Sequence, residues 1–135
     1  MEILIIDGIP IPWRAPFVGK RGSFNPRHQE MKILRTVVRQ QYRSFPITGP
    51  VKVDLTFYMP IPKSASKKKQ RLMEEGKLCP ISRPDRTNMA KLYEDILNEI
   101  VIVDDSQIVS GNIEKKYSHR PHIIIKVEKI EVEEN

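Results

Sequence analysis

The segment Val51-Lys52-Val53-Asp54-Leu55-Thr56-Phe57-Tyr58-Met59 sets an apolar group at every second position. Val51, Val53, Leu55, Phe57 and Met59 share one parity; Lys52, Asp54, Thr56 and Tyr58 share the other. A period of two sends successive side chains to opposite faces of a strand, so this segment predicts a strand with one face in the core. Pro60 and Pro62 end it, because proline brings no N–H to a ladder. Upstream, residues 2–6, apolar throughout after Glu2, predict a buried strand. Residues 8–25 hold Pro10, Pro12, Pro16, Gly19 and Gly22 and predict an irregular arm or a hairpin. Asn25 and Pro26 predict the cap and first position of a helix over 26–43, with Met31, Leu34 and Val38, and Ile33 and Val37, at helical spacing. Downstream, residues 63–84 are polar and basic; a mobile loop is expected over about 63–83, with a short helix near 66–75. Met89, Leu92, Tyr93, Ile96, Leu97 and Ile100 then mark a helix over 86–100. Residues 107–117 and 121–132 predict two strands about a Ser118–Pro121 turn, with a bulge or strand end where parity breaks between Val127 and Ile130. The order implies a single α/β (α+β) domain over 1–135, with a small mixed sheet and two main helices.

A chain of 135 residues fits one domain. No apolar run reaches the length of a membrane span, and the first residues lack the basic stretch of a signal peptide. The single Cys79 excludes an internal disulfide, so a reducing cytoplasm is expected. The net charge of +6 points to a polyanion, and its distribution says more. Arg14 to Arg43 carries eight basic residues against Glu30 alone, and Lys63 to Arg71 carries five and no acid. Asp85 to Asp105 reverses the sign, with six acids against Arg86 and Lys91.

That acidic segment is where chemistry is expected. Asp85 stands at the start of the second main helix, and Thr87, Asn88, Lys91, Glu94, Asp95 and Asn98 fall opposite its apolar stripe. One reading is an N-cap aspartate followed by a solvated face, with Lys91 paired to Glu94 or Asp95. The other is a site completed by Asp104 and Asp105 of the later Val103-Asp104-Asp105-Ser106-Gln107-Ile108 turn. Converging carboxylates raise one another's pKa unless a cation neutralises them. Their hard oxygens suit Mg²⁺, with Mn²⁺ as a substitute, and such an ion activates water beside a scissile phosphate.

Three spaced segments together resemble the RusA-type Holliday junction resolvases. They are Arg83-Pro84-Asp85-Arg86-Thr87-Asn88-Met89-Ala90-Lys91, Glu94-Asp95-Ile96-Leu97-Asn98 and Asp104-Asp105-Ser106-Gln107-Ile108. Met59-Pro60-Ile61-Pro62-Lys63-Ser64 is similar to the family's entry loop, and Ile9-Pro10-Ile11-Pro12-Trp13-Arg14 to its first strand region. The resemblance implies a metal-dependent endodeoxyribonuclease that cuts two strands of a four-way DNA junction as a homodimer. It implies roles in recombination and repair and a phage or prophage setting. Asp85, Lys91 and Asp105 match motif positions, and Asp95 and Asp104 match neighbouring acids.

The chain departs from the pattern at Thr87, where the family carries a second carboxylate. A hydroxyl is the poorer Mg²⁺ ligand, so Glu94, seven residues on and on nearly the same face, is the candidate replacement. The expected metal ligands are thus Asp85, Asp104, Asp105 and Glu94. Lys91 is expected to stabilise charge on the phosphate or to neutralise the acids. Thr87, Asn88, Asp95 and Gln107 are expected to support the site. Arg14, Lys67, Lys68, Lys69 and Arg71 are expected to meet DNA phosphates, as are Arg35 and Arg39, which with Arg43 form one helical stripe. Phe24 near basic residues is a candidate for base stacking; Trp13 and Phe17 are expected in core or dimer packing. A twofold dimer would match a junction with two symmetry-related cuts. The rival reading is a junction-binding or nucleic-acid-binding protein whose acids are structural, or one disabled at Thr87.

Overall fold

Strand β4, Val51–Pro60, lies inside the sheet with neighbours on both sides. The coordinates are a computed structural model, and the structure describes residues 1–132. The elements before β4 are β1 (Glu2–Asp7), β2 (Phe17–Gly19), β3 (Gly22–Phe24) and α1 (His28–Gln41). After it come α2 (Lys67–Glu74), α3 (Arg86–Leu97), a 3-10 turn at Asp105–Gln107, β5 (Ile108–Ser110), β6 (Ile113–Ser118) and β7 (His122–Lys129). β7 runs antiparallel to β4 on one side, and β1 antiparallel to β7 beyond it. β5 and β6 run parallel to β4 on the other side. The sheet is therefore mixed and the domain α+β, with two longer helices and the short α2.

The alternation of β4 is realised residue by residue. Val51, Val53, Leu55, Phe57 and Met59 are buried, and the residues between them are half-buried. Leu4 and Ile6 of β1 and Ile123, Ile125 and Val127 of β7 complete the same inner face. Helices α1 and α3 supply the rest of the core: Met31 and Val38 from α1, and Met89, Ala90, Leu92, Tyr93, Ile96 and Leu97 from α3. The Phe57 and Tyr93 rings meet at 5.6 Å between centroids. Each such buried side chain is worth roughly 1.5–3 kcal/mol of transfer free energy. No helix among the described residues is long and apolar enough to cross a membrane.

Four local expectations change. β1 is an edge strand rather than a buried one, so Ile3 and Ile5 face outward and are about half exposed. α1 begins at His28 behind Arg27, not at Pro26; Asn25 Oδ1 instead accepts from Arg27 N at 2.9 Å in a turn before the helix. Ile33 is exposed on α1, since the helix packs through Met31 and Val38, with Leu34 and Val37 partly buried beside them. α3 ends at Leu97, and the chain turns there so that Ile100, Val101 and Ile102 enter the core outside the helix. The short helix expected near 66–75 is α2, and the β7 parity break is a strand end at Lys129.

The downstream region also divides differently from its pattern. Residues 107–117 do not make one strand, and β6 does not pair with β7. The Ser118–Pro121 turn instead carries the chain from one flank of β4 to the other. The break between β5 and β6 falls at Gly111, whose φ is +145°. A Cβ there would lie 1.7 Å from the Val53 carbonyl oxygen, so only glycine lets the chain pass β4 this closely. Asp54 Oδ1 accepts from Asn112 N at 2.8 Å and fixes the restart of pairing. Gly111→Ala should therefore destabilise the domain by about 3 kcal/mol, measured as a lower urea midpoint. Glu99, the one non-glycine residue with positive φ among those described, sits at +66°. Glu99→Gly should shift the midpoint the other way, by about 1 kcal/mol.

Candidate active site

The motif helix is clamped by the arm that precedes β2. Ile11 N donates to the Tyr93 hydroxyl at 3.1 Å. Trp13 N donates to the Asn88 carbonyl and Asn88 Nδ2 to the Trp13 carbonyl, both at 3.1 Å. Arg27 Nε donates to the Pro12 carbonyl at 3.1 Å. Burial pushes the Tyr93 phenol up to about 12, against smaller opposing effects of Ile11 N and Arg27, so it remains a neutral anchor. Lys91 leaves α3 toward the same arm, with Nζ 3.5 Å from the Trp13 ring centroid. It makes no ion pair with Glu94 or Asp95, contrary to the helix-pairing expectation; the aromatic face takes its charge instead. Trp13 is partly buried against the core, as expected, while Phe17 is exposed.

The late turn is held as firmly. Gln107 Oε1 accepts from Val103 N at 2.7 Å and Asp104 N at 2.9 Å, and Gln107 Nε2 donates to the Ile47 and Gly49 carbonyls at 2.8 Å. One side chain thus ties the turn to the segment that enters β4. Asp104 caps the 3-10 turn by accepting from Ser106 N at 3.1 Å; the Ser106 hydroxyl first, and the backbone N–H groups of Ser106 and Asp105 after it, hold its carboxyl below the usual range. Adjacent Asp105 has no such partner.

The acids of the segment thereby divide into two groups. Asp95 pairs with Arg35 of α1 at 3.5 Å and accepts from Asn98 Nδ2 at 3.2 Å. Asp104 is occupied by its cap, beside a shallow cleft of about 330 Å³ that it shares with Arg35, Arg39 and Asp95. Asp85, Glu94 and Asp105 have no ion pair among the described residues. Asp85 stands at the N-cap position, yet its side chain makes no capping bond, so the helix start does not account for it. Glu94 is half-buried; burial first, and the charge of Asp105 second, push its carboxyl above the usual range. The 3-10 turn packs against α3, near enough for the charge of Asp105 to act on Glu94. Asp85 lies nine residues before Glu94, about 13 Å along the helix axis at 1.5 Å per residue.

No group of three or more His, Cys, Asp and Glu side chains comes together as a metal cage among the described residues. Mg²⁺ needs no such cage: one or two carboxylates suffice when substrate phosphates and water complete its shell. Glu94 and Asp105 are hard-oxygen donors without an ion-pair partner, Glu94 raised by burial first and by the charge of Asp105 second, and donors of this type suit that ion. Of the basic residues expected at DNA, Arg35 and Arg39 line the cleft with Asp95 and Asp104, next in sequence to Glu94 and Asp105. Lys67, Lys68, Lys69 and Arg71 are exposed on α2, whose N-cap Ser66 accepts from Lys69 N. Arg14 and Arg39 are exposed, whereas Arg35 already faces Asp95. Sequence reasoning missed the Trp13–Lys91 contact and the clasp role of Gln107, both of which join segments far apart in the chain.

Because the Glu94 carboxyl is raised in the fold, ionising it disfavours the folded state. Stability from this group is present below its ordinary pKa and is lost as pH rises through the raised value. Glu94→Gln should therefore raise the urea midpoint at pH 7 without divalent cations, and the gain should vanish at acid pH. A Trp13→Leu and Lys91→Met double-mutant cycle should return a coupling of about 0.5–1 kcal/mol. A coupling near zero would remove the cation–π contact from the site.

Comparison with known proteins adds two findings. Over 86 residues the chain is 41% identical to "Uncharacterized protein YqaN" of Bacillus subtilis (strain 168), covering 62% of this chain and 61% of that one. The chain thus spans less than two thirds of that relative's length. A family model described as "Endodeoxyribonuclease RusA" matches residues 16–128, which takes in β2 through nearly all of β7, the motif helix and the late turn. With that match covering most of the sequence, the chain belongs to the RusA endodeoxyribonuclease family.

Proposed function

We propose that this protein is a Mg²⁺-dependent endodeoxyribonuclease that acts on branched DNA, cutting a four-way junction by paired symmetric cleavage as a homodimer. The observation that carries the reading is the Glu94–Asp105 pair: two neighbouring carboxylates without an internal cation, in a chain of this family. Asp85, equally without a partner, stands at the positive end of α3, where the helix dipole favours a negative charge.

Glu94 and Asp105 would hold the ion, with Asp85 meeting the substrate backbone from the helix start. Bound Mg²⁺ supplies neutralisation of phosphate charge and lowers the pKa of a coordinated water. Lys91, held by Trp13 between Asp85 and Glu94 on α3, would add a positive charge to the phosphate in the transition state. Asn88 and Gln107 position these groups by fixing the arm and the late turn. Asp104, engaged by its cap, leaves the ligand set. The cations of α2, with Arg14 and Arg39, would neutralise phosphates away from the cut, so affinity would fall steeply with salt. A twofold dimer matches the two cuts, and the outward Ile3 and Ile5 of edge strand β1 are candidates for its interface.

A binding protein without cleavage is the second reading. Thr87 in the place of a carboxylate, and the axial separation of Asp85 from Glu94, favour it. A synthetic four-way junction with and without Mg²⁺ separates the two. Paired, Mg²⁺-dependent cuts are expected, lost by roughly 100-fold or more in Asp85→Asn while binding persists. Mg²⁺ should also raise the melting temperature of the wild type and leave Glu94→Gln unmoved. Tight binding with no cutting by the wild type would establish the second reading.

A further inference from the structure

The hairpin of β2 and β3 pairs only with itself among the described strands. All of its residues are exposed, Phe17 at 55% and Phe24 at 56%. An isolated two-stranded hairpin is marginal in water, and here its strands are held face to face by one aromatic pair. Phe17 and Phe24 are directly opposed in register, with ring centroids 5.1 Å apart and planes tilted by 54°. The tip is Lys20-Arg21, and Gly22 at φ +111° takes the positive angle that closes the turn. From residue 8 to residue 29 the chain carries Arg14, Lys20, Arg21 and Arg27 and no acid. The arm of residues 9–13 connects this hairpin to the Asn88–Lys91 part of α3.

Two exposed rings on a cationic, acid-free projection match the chemistry of a single-stranded nucleic acid. Such a partner presents flat faces for stacking and phosphates for Lys20 and Arg21. A fully paired duplex hides its base faces, and an acidic peptide offers no flat ones, so neither would use the rings. Resting on the DNA-cleaving role proposed above, we infer that the Phe17–Phe24 hairpin is a stacking platform for unpaired bases, with Lys20 and Arg21 holding the flanking phosphates. At a branched substrate it would engage bases unstacked at the branch. Through Trp13, that engagement would be felt next to Lys91.

A fluorescently labelled single-stranded oligonucleotide, a linear duplex and a four-way junction carrying 2-aminopurine at its crossover test this together. The Phe17→Leu, Phe24→Leu double variant keeps an apolar cross-strand pair but removes both rings; the Phe17→Tyr, Phe24→Tyr variant keeps them. The Leu variant should bind the single strand about tenfold more weakly, with the duplex unchanged and the Tyr variant close to wild type. It should also lose the 2-aminopurine fluorescence increase that the wild type produces. Lys20→Ala with Arg21→Ala should flatten the salt dependence of single-strand binding by about 0.7 per removed charge. Equal single-strand binding by wild type and the Leu variant would overturn the platform, whether or not the junction is cut. Failure of the wild type to cut or prefer the junction, with the single-strand contrast intact, would overturn the substrate assignment and leave the platform standing.

Discussion

Burial of one face of β4 is the constraint to which every other element is referred. Its five inward side chains are covered by α1 and α3, and its two edges are filled by β7 and by β5 with β6. A fully flanked strand cannot slip by one residue without turning its apolar set outward. Its register therefore fixes where its neighbours begin. Gly111 is the clearest consequence: the β5–β6 connection passes so close to Val53 that no side chain fits. The late turn inherits the same rigidity, because Gln107 is hydrogen-bonded to the chain just ahead of β4.

The site is built by exclusion as much as by assembly. Several acids in this fold have partners: Asp95 has Arg35, Asp104 has its cap, Asp54 has Asn112 N, and Asp7 has Arg120. Glu94 and Asp105 have one another, which is unfavourable, and no cation to offset it. A half-buried carboxylate whose pKa is raised, by burial first and by a like charge second, is a cost to folding. Such a cost is understandable where a ligand removes it. Lys91 could have removed it from within, four residues of helix being the right spacing to Asp95 and three to Glu94, yet its ammonium lies on Trp13. The positive charge is thus kept near the acids without quenching them.

Long-range ties make the amino-terminal arm part of the site. Two hydrogen bonds at Asn88, one at Tyr93 and the cation–π contact at Lys91 bind residues 11–13 to α3. The hairpin beyond them stands free of the sheet. A rigid motif helix is thereby joined to a projecting, cationic element through one short proline-rich segment, which has little backbone freedom to lose.

The sequence by itself determined the secondary elements that a local period can encode. Alternation marked β4, helical spacing marked α1 and α3, and the reversal of charge between Asp85 and Asp105 marked the segment that holds the candidate site. These signals are local because a side chain's face is set by its own backbone geometry. Only the tertiary structure decided which neighbours those faces meet. The continuous apolar run of β1 reads as buried, but an edge position covers one face only. Residues 107–117 and 121–132 read as two strands about a turn, but β4 lies between β6 and β7. Asp104 and Asp105 are chemically alike and adjacent, and one caps a turn while the other confronts Glu94. Trp13 reaches Lys91 and Arg35 reaches Asp95 across 78 and 60 positions of chain. Contacts at such separations leave no periodic mark, since they arise from how packed elements lie against one another rather than from any one element's own geometry.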